Sequence, residues 1–262
     1  AASLLVGALL LLDARRVDWT VVASRFLAWP EWWQTVVVAG VTGLFWGAIS
    51  LTWAGYSSGS GFFNLLPVTG LMVAGLALPV VGFLFALRLD LGLALAALSA
   101  PFYLVPDGLA YQAVSVPQIL IILCAVASSL ARQAGLTRLA PPSARRSRSH
   151  HPSGLSLRWT DLALAILLAA ALAASVAAND RAAALYQLWT VFVPLALAYG
   201  LLRLARLDGQ AQWRVVDGFV LGALGVALVG LVQLALGRNL VVAEGGLPRL
   251  QSVYHSPNNV GL

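Results

Sequence analysis

Arg249, Tyr254, His255, Asn258 and Asn259 stand within eleven residues of one another in the closing stretch Gly246 to Leu262, and no other part of the chain gathers those types. Each brings a distinct chemistry. Arginine offers a planar fork of donors that matches phosphate oxygens, and His255 offers an imidazole that can take a proton near neutral pH. Ser256-Pro257 has the form of a helix N-cap followed by proline at the first helical position, so a helix is predicted to open there. Its free N–H groups and positive dipole end favour an anion. Arg249, Ser256, Asn258 and Asn259 are therefore the candidate ligands of a phosphate or pyrophosphate, and Arg249 and His255 the candidate catalytic side chains. The competing reading has Arg249 reach ordinary lipid phosphates and His255 pack beside the cap.

The elements that must position this stretch are membrane-type. Hydrophobic residues make up 60% of the 262 and charged residues 10%, and the mean hydropathy is +0.86. A soluble domain needs a wetter surface than that. Long apolar runs cover Ala2 to Leu12, Val36 to Trp53, Leu65 to Leu87, Leu91 to Val105, Val114 to Leu130, Leu162 to Ala178, Leu185 to Leu202 and Val215 to Leu236. The runs are continuous rather than alternating, which predicts helices rather than barrel strands. The expected fold is all-α: a polytopic transmembrane helix bundle of about eight spans. The first run covers about half a bilayer-spanning helix, and a truncated span of an excised fragment is expected there.

Charge sets a direction. All 16 basic residues are arginine. With eight alternating spans, the loops holding Arg15, Arg16 and Arg25, then Arg88, then Arg132 through Arg158, then Arg203, Arg206 and Arg214 fall on one side. Arg181, Arg238 and Arg249 fall on the other. The positive-inside rule makes the first side cytoplasmic, which puts residues 238–262 outside. The expected organisation is a five-span portion over 1–131, a basic cytoplasmic linker over 132–160, a three-span portion over 161–237, and an outer loop leading into the next helix over 238–262.

The linker carries Arg145, Arg146, Arg148, His150 and His151 among prolines and serines, with no apolar face to bury. Anionic lipid is its expected neighbour. No aromatic residues are interleaved to stack bases, so no nucleic-acid partner is expected, and His150-His151 has no further ligands nearby to build a metal site. The tryptophans at run ends, Trp19, Trp29, Trp32, Trp33, Trp53, Trp159, Trp189 and Trp213, suit the headgroup layer. Gly43 with Gly47, and Gly218 with Gly222, have the spacing of close helix contacts. Pro67, Pro79, Pro101 and Pro194 can kink helices. Cys124, the single cysteine, lies in an apolar run and reads as a small buried hydrophobe.

Nucleotide and zinc motifs are missing: there is no Gly-x-x-x-x-Gly-Lys loop and no His-Glu-x-x-His pair. On the expected outer side the acids are Asp107, Asp180 and Glu244, far apart in sequence, so neither a metal nor another cofactor is expected. Asp90, Asp161 and Asp217 fall at expected cytoplasmic ends of spans rather than deep within them, unlike the buried charges of ion-coupled transporters.

The order Pro248-Arg249-Leu250, a short Gln-Ser-Val-Tyr-His linker, then Ser256-Pro257-Asn258-Asn259-Val260-Gly261-Leu262 resembles the start of the conserved region in the O-antigen ligase and O-antigen polymerase membrane proteins. Arg249 matches that family's arginine, and Pro257 with Asn258 its Pro-Asn pair. Gln251-Ser252 departs from the Thr-Gly often found there. The resemblance covers about the last fifteen residues. It implies a bacterial inner-membrane enzyme that moves glycan, without a metal, from an undecaprenyl-pyrophosphate carrier to a glycan or lipid acceptor at the outer face. It also implies a catalytic histidine in a later outer loop, beyond Leu262. The alternatives are a lipid-linked-sugar flippase or other transporter, and a non-catalytic scaffold subunit.

Overall fold

The computed structural model describes residues 18–58, 65–102, 115–133, 159–205, 207, 209–237, 240–242 and 248–250. These are helical apart from one short ribbon: α1 Trp19–Leu27, α2 Glu31–Ser58, α3 Leu65–Leu87, α4 Leu89–Ser99 with a 3-10 turn Ala100–Phe102, α5 Val116–Gln133, α6 Trp159–Ala177, α7 Arg181–Gln187, a π-turn Leu188–Phe192, α8 Val193–Ala205, α9 Gly209–Leu236, β1 Leu240–Val242 and β2 Pro248–Leu250. The chain divides into two units, one drawn from 1–89 and 126–147, the other from 90–125 and 148–262.

Among the described residues, five segments are long and apolar enough to cross a membrane: Glu31–Ser50, Val116–Gln133, Trp159–Ala177, Arg181–Arg203 and Gly209–Leu236. They become six if the pair Met72–Leu87 and Leu89–Phe102, broken at Arg88, counts as one. Two of the apolar runs in the sequence thus meet in that broken pair, and the run Ala2 to Leu12 lies outside the described residues. The surfaces agree with a lipid solvent. Ile166, Leu172 and Val176 of α6 are 61%, 53% and 62% exposed, and α9 carries exposed Phe219, Leu221, Leu224, Leu228 and Leu231. Faces that apolar would associate in water, whereas hydrocarbon leaves them where they are. The protein is a helical membrane protein.

In the first unit α2 and α3 form the most extensively packed helix pair. Val38 and Phe45 on α2 and Val81 and Phe85 on α3 are buried. The pair is antiparallel, because Glu31 at the start of α2 bonds to Arg88, the residue that follows α3. Helix α1 begins where Asp18, in extended conformation, accepts the Thr20 amide at 3.0 Å and the Thr20 hydroxyl at 2.5 Å. The hydroxyl first, and the amide second, hold the Asp18 carboxyl below its ordinary range. A depressed carboxyl stabilises the fold fully at neutral pH, and loses that effect only as pH falls through the lowered value. The protection of the first α1 turn, taken relative to intrinsic amide exchange at each pH, is accordingly expected to be flat from pH 8 to about pH 5 and to fall below about pH 4, and Asp18→Asn should remove that acid limb.

In the second unit α9 lies against α4 along a glycine seam. A Cβ built on Gly218 would come within 2.4 Å of the Ala94 carbonyl oxygen, and one on Gly222 within 2.2 Å of the Leu98 oxygen and 3.1 Å of Pro101 Cδ. The absent side chains are what allow the two backbones to meet. Gly43 and Gly47, read as a second such contact, do not form one: both are exposed, and nothing lies within 4 Å of their Cβ positions. Cys124 is fully buried, as its apolar run suggests.

Candidate functional site

Helix α9 ends at Gly237, whose φ of 61° is open to glycine at little cost. Its amide still reaches the Leu234 carbonyl at 3.2 Å. The chain then extends into β1, where Leu240, Val241 and Val242 favour a strand, and returns as β2 in an antiparallel pair. The register sets Leu240 opposite Leu250, Val241 opposite Arg249 and Val242 opposite Pro248. Arg249 is thus fixed by backbone pairing between two apolar pairs, and β2 lies next to α9. Among the described residues, strand structure in a segment read as a helical protein's outer loop is the one departure from all-α. Its physical basis is the β-branched Val241-Val242 beyond a glycine stop. His255, Ser256, Asn258 and Asn259, and with them the helix start at Ser256-Pro257, lie outside the described residues. Of the candidate site, only Arg249 is brought to a defined backbone position.

Elsewhere the polar side chains of the described residues form three arginine clusters at helix ends. Arg203, in the last turn of α8, meets Asp161, in the first turn of α6, through two bonds: Nε to Oδ1 at 3.0 Å and the terminal nitrogen to Oδ2 at 2.6 Å. Tyr199 donates its hydroxyl to the same Oδ1 at 2.5 Å and shares a 2.8 Å hydroxyl contact with Thr160. Both charges sit at the helix end whose dipole favours them. Arg214 of α9 holds Asp90 of α4 at 2.6 Å. Arg88 holds Glu31 at 3.1 Å and donates to the Gln34 side-chain oxygen. Of the acids noted in the sequence at span ends, Asp90 and Asp161 thus have arginine partners on neighbouring helices.

These clusters are clamps. Each carboxylate is committed to an arginine, and among the described residues no three His, Cys, Asp or Glu side chains group as a metal site would require. Asp161→Asn is expected to lower the thermal midpoint in detergent, and Arg203→Gln to lower it further by much less than it does alone. Additive losses in that cycle would show that the pair is not coupled.

The interior polar contact that sequence reasoning missed involves Gln118, only 1% exposed. In the π-turn the Val193 amide bonds to the Leu188 carbonyl, five residues back. The Trp189 carbonyl therefore loses its usual donor at 193, and the next residue, Pro194, has no N–H. Gln118 of α5 supplies one, its amide donating to the Trp189 carbonyl at 3.3 Å. Its oxygen accepts the Ser115 amide at 3.3 Å. Thr190, in the same turn, donates its hydroxyl to the Tyr186 carbonyl at 2.9 Å. A glutamine near the start of one apolar run and a proline inside another were the available signals, but nothing in the sequence pairs them.

Asp180, one of the acids on the expected outer side, caps α7 by accepting the Ala183 amide at 3.0 Å. No family model, curated protein or solved structure matches the chain.

Proposed function

We propose that this chain belongs to a multi-pass bacterial enzyme that transfers glycan from an undecaprenyl-pyrophosphate carrier to a glycan or lipid acceptor, of the O-antigen ligase or polymerase type. In this reading the eight apolar runs are eight spans, and residues 238–262 open on the outer face of the cytoplasmic membrane. The observation that carries it is Arg249: an arginine in the order Pro-Arg-Leu, short linker, Ser-Pro-Asn-Asn, directly after the last long apolar helix. That position suits a group that meets a lipid-borne pyrophosphate at the membrane surface.

The chemistry asks for what this stretch offers. As the sugar–oxygen bond to the carrier breaks, negative charge grows on the departing pyrophosphate, and a guanidinium with helix-start N–H groups can receive it. The acceptor hydroxyl must give up a proton as the glycosidic bond forms. His255 is the imidazole of this stretch and the candidate base on this chain.

The flippase alternative moves the same donor without making a bond, so one reconstitution separates the two. In proteoliposomes with a lipid-linked oligosaccharide on one leaflet and a glycan acceptor present, the transferase reading expects a new glycosidic product and free undecaprenyl pyrophosphate. Translocation of intact donor with no product would replace it with the transporter.

A further inference from the structure

We propose that α1 is an interfacial helix: it lies in the phospholipid headgroup layer at the edge of the α2–α3 pair, with Arg25 on lipid phosphates. Its nine residues span about 13 Å, less than half the hydrocarbon thickness, so it does not cross the bilayer.

Both of its ends are tied to one level of that pair. At its C-terminal end the buried Gln34 donates its amide to the Leu27 carbonyl at 3.3 Å and the Trp29 carbonyl at 2.8 Å, and accepts from Arg88. Arg88 and Glu31 are charges at the adjoining ends of α3 and α2, where a membrane helix meets water. At its N-terminal end the Trp19 ring lies 5.1 Å from that of Phe83, which precedes Arg88 by about 8 Å along α3. A helix whose two ends meet the α2–α3 pair so near one end of it runs along the boundary rather than through it.

The side chains of α1 sort accordingly. Ala23 and Phe26 are buried, one turn apart, against the protein. Val21, Val22 and Arg25 share another side by their three- and four-residue spacing, with Val21 and Val22 45% and 39% exposed. Thr20 and Ser24 share a third, also exposed. An aqueous edge, an apolar edge and a core edge on one short helix are what a headgroup layer beside a bundle selects. Trp29, Trp32 and Trp33, exposed at the junction with α2, continue the belt. Arg88, Arg203 and Arg214 are each taken up by a carboxylate, whereas the described residues give Arg25 no such pair and the nearby Asp18 carboxylate is engaged by Thr20. A phosphodiester is the anion that layer supplies.

The native thiol makes the test direct, since Cys124 is the single cysteine. In the Cys124→Ala protein in phospholipid nanodiscs, Val21→Cys, Val22→Cys, Thr20→Cys and Ser24→Cys are spin-labelled one at a time. All four sites are exposed, so the labels leave the core intact. The labels at 21 and 22 are expected to collide more with dissolved oxygen than with a water-soluble nickel chelate, and those at 20 and 24 to show the reverse order. Arg25→Glu should raise nickel access at 22. Nickel access at all four positions would place the helix in water and overturn the proposal. Exclusion of both reagents at 21 and 22 would show a protein surface there, a second copy or another segment, and overturn it equally.

Discussion

Gly222→Leu is expected to cost at least about 3 kcal/mol and to abolish recovery of folded protein from the membrane, at the upper end of what overpacking usually does. The reason lies in what the new side chain meets. Even a Cβ would sit 2.2 Å from the Leu98 carbonyl oxygen and 3.0 Å from its carbon. Those are backbone atoms of α4, which cannot swing aside as a side-chain tip can. The helices would have to part, and Gly218, with Ala94 at 2.4 Å from its Cβ position, would lose its contact in the same movement. The control is Gly43→Leu. It has the same spacing to a second glycine, but open space around it, and leucine is the better helix former by about 0.8 kcal/mol. No loss of stability is expected there. Equal losses at the two positions would mean that the seam between α4 and α9 has been misread.

The second large effect concerns Gln118. Gln118→Leu removes the donor that reaches the Trp189 carbonyl and leaves a buried acceptor without a partner, at a cost of about 2–3 kcal/mol. A leucine of similar bulk keeps the packing, so the loss reports the hydrogen bonds, to the Trp189 carbonyl and from the Ser115 amide. Pro194→Ala provides the discriminating partner. It restores an amide at position 194, which can serve the Trp189 carbonyl within the π-turn or let the segment return to α-helical bonding, where the Val193 amide reaches Trp189. Gln118→Leu is therefore expected to cost much less in the Pro194→Ala background, where only the Ser115 amide loses its partner. Reversible unfolding in mixed micelles measures all four states of the cycle. Full additivity would show that Gln118 and the π-turn are independent.

How much of this was legible in the sequence depends on the range of the interaction. Helices α2, α5, α6 and α9 coincide closely with apolar runs, because in a bilayer continuous hydrophobicity and local backbone bonding set the element together. The break at Arg88 was legible as a charge between two runs, yet not whether it joins two spans or divides one, since that depends on packing. The glycine pairs show the limit most plainly. Gly43 with Gly47 and Gly218 with Gly222 look alike as text, and only the neighbour decides which is a contact. The clamps of Asp161 with Arg203 and Asp90 with Arg214 join residues far apart in the chain. Their positions at helix ends could be read, but their pairing could not. Of the candidate site, Arg249 was singled out by residue type, while its strand pairing with Val241 comes from the ribbon. His255, Ser256, Asn258 and Asn259 rest on the sequence pattern alone.

The proposed glycan transfer is tested most directly at Arg249 in the full-length protein, reconstituted with a lipid-linked oligosaccharide donor and a glycan acceptor. Arg249→Ala is expected to lower the transfer rate by at least about a hundredfold, the loss typical of removing one group that stabilises developing charge. Arg249→Lys should recover only part of that rate, because an ammonium lacks the bidentate fork. Unchanged transfer by the alanine variant, folded and inserted as the parent is, would contradict the assignment of Arg249 to the pyrophosphate.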